Sequence, residues 1–360
     1  METNVNKGKK VYVGMSGGVD SSVSAALLKE AGFDVTGVFI KVWQPDFIEC
    51  RATEDRLDAM RVAAQLGIPF LTLDLEKEYK EEVVEYMIAE YKKGRTPNPD
   101  VMCNRAVKFG GFYDFAMKEG ADFVATGHYA RKVEANGKVQ LYAGKDQNKD
   151  QSYFLWTLTQ EKLAHTLFPV GNIEKPQVRE LARKYGLFTA EKKDSQGICF
   201  LGKVSMKDFL KHYIESKKGD VLNEAGEVIG YHDGSWFFTI GERHGFTINK
   251  KGTNDLPYYV IAKNIEDNTI TVANHSETPE VSGQREITLL TTNWISGAPI
   301  IGKSYKARIR YRQPLFECEV TKFDPTSVTV VFTTPQPTLA PGQSLVLYNG
   351  EECLGGGVLE

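Results

Sequence analysis

The chain has 360 residues, 41% hydrophobic and 25% charged, and its 44 Lys and Arg against 47 Asp and Glu leave a formal net charge of −3. That composition excludes a collagen, a long coiled coil and a disordered chain. No apolar run approaches the roughly 18–20 residues that a bilayer crossing needs, and residues 1–10 are polar with no apolar signal segment, so a cytoplasmic protein is expected.

At about 100–200 residues per domain, the length predicts two or three domains, each with its own core. The five cysteines, Cys50, Cys103, Cys199, Cys318 and Cys353, are odd in number and widely spaced. They make no disulfide framework and no pair at zinc spacing, so no dedicated metal site is expected. With charges nearly balanced, any nucleic-acid surface must be a local patch.

A short strand at 10–14 runs into a turn and a helix at 21–31, followed by a strand at 35–43. Leu57, Met60, Ala63, Ala64 and Leu66 recur at helical spacing in a helix at 53–66 that stops at Gly67. A strand at 69–75, a helix at 77–93 and a buried strand at 122–126 come next. Strands alternating with helices predict a parallel sheet covered on both faces, with ligands at the carboxyl ends of its strands. Further helices are expected at 159–167, 175–185 and 205–213. From Gly219 the texture changes to short β runs at 236–240, 258–262, 269–273, 286–290, 305–312, 316–323, 327–333 and 344–348, separated by Gly, Asn, Asp and Pro turns. The expected organisation is an α/β domain over 1–208, a small central β-rich domain over 209–282 and a C-terminal β-barrel over 283–360.

The most informative segment joins the first strand to its helix: Gly14, Met15, Ser16, Gly17, Gly18, Val19, Asp20, Ser21 and Ser22. Paired glycines let the backbone approach a ligand, the serines supply hydroxyls, and the helix start aims open N–H groups and positive dipole at the same point. Together these form a nest for pyrophosphate. The segment lacks the lysine of a Walker loop and the spacing of a dinucleotide loop.

Asn98-Pro99-Asp100-Val101-Met102-Cys103-Asn104 follows a Gly-Arg-Thr-Pro stretch that breaks the preceding helix. A helical turn after Pro99 places Asp100 and Cys103 on one face, a carboxyl for proton transfer beside a thiol for nucleophilic attack. Cys199 lies in the polar run Asp194-Ser195-Gln196-Gly197-Ile198-Cys199-Phe200. Cys50, Cys318 and Cys353 lack such settings and are read as structural. Arg308, Arg310 and Arg312 alternate along the expected strand 305–312, which predicts three guanidiniums on one face and Tyr311 on the other.

The loop SGGVDSS resembles the PP-loop of the ATP pyrophosphatase superfamily, whose members cleave ATP to AMP and pyrophosphate. That loop alone leaves amidotransferase-type synthetases and tRNA-lysidine synthetase as alternative readings. With NPDxxCN, GHYA at 127–130, KDQSYFL at 149–155, DSxGICF and, more loosely, GERHG at 241–245 and RYRQ at 310–313, the chain resembles the bacterial tRNA-specific 2-thiouridylase family. The resemblance implies an adenine nucleotide alpha hydrolase-like PP-loop domain followed by two β domains. It also implies 2-thiolation of uridine at the wobble position, U34, of tRNAs for Lys, Glu and Gln. ATP, carried with Mg²⁺, adenylates the C2 oxygen. A sulfur-relay protein loads Cys199 as a persulfide, whose sulfur reaches C2 directly or as hydrosulfide freed by Cys103, and a Cys103–Cys199 disulfide remains.

By the same resemblance, residues 14–21, Ile40 (where the family usually has Met) and Gly127 bind ATP. Asn98, Pro99 and Asp100 meet the target base, with Asp100 as acid/base. His128, Lys149, Asp150, Gln151, Arg310, Tyr311, Arg312 and Gln343 contact tRNA.

Overall fold

The computed structural model describes residues 6–48, 52–135, 137–193, 204–249, 256–274, 284–336 and 339–360. The N-terminal half is built on a five-stranded sheet of order β3-β2-β1-β4-β7, from β1 (Lys10–Gly14), β2 (Asp34–Lys41), β3 (Phe70–Asp74), β4 (Phe123–Ala125) and β7 (Thr166–Leu167), all parallel. Val11 and Val13 of β1 are fully buried, as a strand covered on both faces requires. The chain lays down β1, β2 and β3 in one direction and then returns to place β4 on the other side of β1. That reversal, at the carboxyl ends of β1 and β4, opens a crevice where α/β sheets take their ligands.

Helices Val19–Glu30, Ala52–Leu66 and Lys175–Lys184 cover one face of this sheet, around Val23, Ala59, Val62 and Val178. The other face packs Tyr79, Val83, Met87, Val107 and Phe112. The expected helix at 159–167 is shorter, Gln160–Ala164, because Thr166 and Leu167 pair with β4.

The second sheet, of order β10-β9-β8-β12-β11, consists of β8 (Gly219–Leu222), β9 (Val228–His232), β10 (Phe246–Ile248), β11 (Tyr259–Asn264) and β12 (Thr269–Ala273). Its Val221, Phe238, Val260 and Ile270 join the apolar cluster under the first sheet. The expected strand at 236–240 is a 3₁₀ turn, Ser235–Phe237, whose aromatics fill that interface.

The third sheet closes as a six-stranded antiparallel barrel, β13-β16-β15-β14-β17-β18, through a second pairing of β18 with β13. Its strands are β13 (Gln284–Trp294), β14 (Ser304–Arg308), β15 (Phe316–Phe323), β16 (Ser327–Gln336), β17 (Ser344–Asn349) and β18 (Glu352–Leu359). A hairpin of β5 (Ala130–Ala135) and β6 (Lys138–Ala143) leaves the N-terminal half and adds to β18. The run Tyr153-Phe154-Leu155-Trp156 is sealed between this hairpin, the N-terminal half and the barrel, with Tyr153, Leu155 and Trp156 buried beside Leu141, Val346 and Tyr348.

The expected strand 305–312 stops at Arg308. Chain direction changes there, and Arg312 adopts a left-handed φ of 63°, so the three arginines share no face. Arg308 instead turns inward onto Asp150, 2.9 Å away, with the two side chains 12% and 3% exposed. Removing one member of a buried pair strands the other charge, at about 3–5 kcal/mol. Asp150→Ala and Arg308→Met are therefore each expected to destabilise by about that amount in urea unfolding. The double change Asp150→Asn/Arg308→Met should recover much of the loss.

Candidate active site

The phosphate loop lies at the sheet's crevice. Gly17 has φ 74°, and a Cβ there would sit 2.4 Å from the carbonyl oxygen of Asp55 on the neighbouring helix. Ser21 Oγ accepts from the Ser16 amide at 3.2 Å and donates to Gly18 O at 3.1 Å, folding the loop back on the helix start. Gly18 caps Val19–Glu30 without any side-chain hydrogen bond, so the first-turn amides face the loop available to an anion. Met15 points down into the core, and its amide donates to Val38 O at 2.8 Å. Ile40, half-buried near the end of β2, lies beside Gly14. A Cβ on Gly127 would stand 2.8 Å from the Ser21 amide nitrogen, so only glycine lets the end of β4 approach the loop this closely. This polar, uncapped cradle fits a polyphosphate.

Asp20 is held from two sides. Lys175 Nζ lies 2.7 Å from both carboxylate oxygens and Tyr129 donates at 2.6 Å. The lysine offsets a carboxylate that would otherwise repel phosphate. Among the described residues no cluster of three or more His, Cys, Asp or Glu side chains is placed to hold a metal ion.

The helical turn expected after Pro99 is present as Pro99–Cys103, capped by Asn98, whose side chain accepts from the Val101 amide. Asp100 is half-buried, and burial pushes its carboxyl above the usual carboxylate range, opposed by Lys108. Cys103 is buried on the same face. Asn104, one turn beyond Asp100, is 3% exposed. Its Nδ2 donates to Phe154 O at 3.1 Å, which leaves Oδ1 buried without a hydrogen bond among the described residues.

The lead into this helix is clamped by the barrel. Arg95 Nη2 donates to Leu359 O (2.9 Å), the Thr96 amide to Pro341 O (2.7 Å), and Gln343 Nε2 to Thr96 O (2.7 Å) and Pro97 O (3.2 Å). Thr96 and Thr239 hydroxyls, 3.2 Å apart, tie in the central sheet. The helix continues through 104–118, where Phe112 reaches Gly14 of the phosphate loop. One continuous helical run thus links the Asp100–Cys103 face to the nucleotide crevice.

Three family models match the chain in this same order. They are a tRNA methyl transferase HUP domain over residues 9–203, a tRNA methyl transferase PRC-barrel domain over 207–274 and an aminomethyltransferase β-barrel domain over 284–359. Curated relatives named tRNA-specific 2-thiouridylase MnmA, from Salmonella arizonae and Escherichia coli K12, are each 46% identical over 358 residues. Each alignment spans 98% of this chain and 97% of the relative. The chain belongs to the tRNA-specific 2-thiouridylase family.

In this thiouridylase-family chain, the residues expected to touch tRNA divide into a ridge and an inner scaffold. The consecutive residues Arg310, Tyr311 and Arg312 meet the turn that carries Lys149, and these four make up the ridge. Arg312 Nε donates to Asn148 O at 3.2 Å, and Tyr311 packs on Phe154 with ring centroids 4.7 Å apart. Arg310 also donates to Ile240 O of the central half. Asp150, expected to contact tRNA, is buried and takes the Gly144 and Ser152 amides and Arg308. Gln151 grips the Tyr129 backbone in both directions, and Gln343 is part of the clamp on Thr96 and Pro97.

His128, expected to contact tRNA, lies inside the protein. It is buried against Thr126 and Lys108, and burial followed by the Lys108 charge lowers its pKa well below the usual histidine value. Cys199 and Cys50 lie outside the described residues. Cys318 and Cys353 are buried in barrel strands, and burial pushes the Cys318 thiol up to about 12, as expected of structural thiols.

Lys175, Lys108 and Lys192 were not singled out in the sequence, since a lone lysine on a helix or turn carries no motif. Lys192 Nζ binds Asp55 and Asp58, each at 2.8 Å. This fixes the chain ahead of the Cys199 segment beside the helix that touches Gly17. Gly17→Ala is expected to abolish ATP binding in calorimetry while leaving thermal unfolding within a few degrees of wild type, because the added Cβ meets backbone at the ligand site and not in the core.

Proposed function

We propose that the protein is an ATP-dependent tRNA-uridine 2-sulfurtransferase acting at U34 of tRNAs for Lys, Glu and Gln. The observation that carries this reading is the continuous helix joining Asp100 and Cys103 to the phosphate loop, in a chain 46% identical to named 2-thiouridylases along its length. A polyphosphate seated on the uncapped helix start leaves the α-phosphate facing the crevice, where the target uracil enters beside Asn98, Pro99 and Asp100. The uracil O2 attacks the α-phosphorus, the bond to pyrophosphate breaks, and Asp100 takes the N3 proton. Burial suits Asp100 to this, because a raised pKa makes the carboxylate a stronger base.

Sulfur then replaces AMP at C2, delivered from a Cys199 persulfide loaded by a sulfur-relay protein. Whether attack is direct or through hydrosulfide, Cys103 closes the cycle as the thiol that pairs with Cys199, and a cellular thiol reductant reopens that disulfide. Mg²⁺ accompanies ATP on its phosphates. Reaching U34 requires flipping the base out of the anticodon loop. A cleft of about 350 Å³ on the far side of the catalytic helix, lined by Tyr86, Arg95, Asn98, Arg105 and Thr291, offers room for the neighbouring nucleotides. The unfilled Asn104 oxygen supplies an acceptor inside the site.

Incubated with ATP, a persulfide donor and a U34 transcript, the protein should form 2-thiouridine, AMP and pyrophosphate, read by nucleoside mass spectrometry. Cys103→Ser and Cys199→Ser should each lose thiolation at least 100-fold while still releasing pyrophosphate. Thiolation undiminished in Cys199→Ser would defeat the sulfur-relay reading and favour another PP-loop adenylating enzyme.

Binding should also be strongly salt-dependent, since phosphate contacts release counterions. Arg312→Gln should flatten the log–log salt slope by about one. An unchanged slope would move the RNA path away from the ridge.

A further inference from the structure

Asp100, Asn104 and Lys108 lie on one side of the catalytic helix, four residues apart, within packing otherwise made by Val107, Phe109 and Phe112. Lys108 is half-buried and forms no ion pair among the described residues. Its ammonium is 3.4 Å from Nε2 of His128, whose Nδ1 is 2.7 Å from Thr126 Oγ1. A neutral ring whose Nδ1–H donates to Thr126 presents the Nε2 lone pair to the ammonium. The imidazole therefore aims the lysine without neutralising it.

This cation, within electrostatic reach of Asp100 but in no ion pair among the described residues, stands between the two halves of the site. On one side is Asp100, where the base enters. On the other is the end of β4, where Gly127 abuts the Ser21 amide and Phe112, one turn beyond Lys108, meets Gly14. A half-buried cation held by a neutral ring at this point is placed for an anion.

Resting on the adenylation reading above, we propose that Lys108 is a catalytic residue that binds the α-phosphate of ATP, with His128 and Thr126 as its positioning residues. When the uracil O2 forms its bond to the α-phosphorus and the bond to pyrophosphate breaks, the leaving pyrophosphate takes the electron pair. Negative charge on the equatorial oxygens is greatest between those two events. Lys108 stabilises it by hydrogen bonding and transfers no proton. Preorganised donors of this kind contribute about 100–1,000-fold to rate.

The test is pyrophosphate formation from γ-labelled ATP, followed by rapid quench with a U34 transcript. Lys108→Met is expected to lower kcat by about 100–1,000-fold, with KM for ATP and tRNA affinity each within about threefold of wild type. Lys108→Arg, which keeps the charge and guards against a folding defect, should recover at least tenfold of that loss. His128→Ala should cost about tenfold alone and nothing further in the Lys108→Met background, a coupling that a purely structural histidine would not show.

An unchanged kcat in Lys108→Met overturns the proposal. So does a loss confined to tRNA affinity, which would make Lys108 an RNA contact. Because pyrophosphate is the readout, a wild-type protein that adenylates some other acceptor would sink the uridine reading while leaving the Lys108 result to stand or fall separately.

Discussion

A five-residue helix does not hold its own shape in water, because one hydrogen-bonded turn does not repay the entropy of nucleating it. The helix Pro99–Cys103, which carries the carboxyl and thiol of the site, is therefore defined by what grips its ends. Asn98 caps it, the helical run 104–118 extends it, and four hydrogen bonds from the barrel fix residues 95–97 ahead of it. Pro97 and Pro99 remove backbone donors in the lead-in, which leaves carbonyls for Gln343 to bind. The geometry between Asp100 and the phosphate loop is thus a tertiary property, contributed by segments more than two hundred residues away.

The same economy governs charge. Asp20 would oppose phosphate and is answered by Lys175, Asp150 would be stranded in the hairpin seam and is answered by Arg308, and Asp55 and Asp58 are shared by Lys192. Each pair joins elements from different parts of the chain, so each also sets a distance. Lys108 departs from this pattern, being aimed by a neutral ring. A ligand-binding cation is recognisable by that contrast, since a lysine already paired to a carboxylate has little attraction left for phosphate.

The phosphate loop, the parallel sheet and the Asn-Pro-Asp turn were legible because local chemistry dictates them. Glycines after a strand, alternation of strand and helix, and an Asn cap followed by Pro need no tertiary information. Three features escaped because their causes are remote. The hairpin 130–143 is not among the elements expected from the sequence, and its outer partner is the distant strand β18. Strand β18 itself contains Gly355, Gly356 and Gly357, a poor strand composition, yet a Cβ on Gly356 would lie 2.2 Å from Leu345 O, so barrel closure demands the glycines. The alternation of Arg308, Arg310 and Arg312 suggested a strand face, but alternation constrains side chains only while the backbone stays extended, and at Arg312 it turns left-handed. His128 and Asp150 are harder to read for a related reason: a polar residue in a motif signals importance without saying whether it meets ligand or scaffold.

That distinction bears on the barrel. Its loop 340–343 contributes no side chain to the phosphate nest, yet its carbonyl at Pro341 and the Gln343 amide hold the strand of chain that presents Asp100 and Cys103. Tyr153 makes the same connection from within, its hydroxyl 2.8 Å from Ile309 O and 2.9 Å from Ser344 O while its ring packs beside Phe154, the residue whose carbonyl orients Asn104. The ridge of Lys149, Tyr311 and Arg312 rests on that same Phe154. The surface of Tyr311 and Arg312 therefore connects to the Asp100–Cys103 helix through packed rings and backbone hydrogen bonds. A barrel joined this way makes the position of the Asp100–Cys103 face depend on the surface formed by Tyr311 and Arg312.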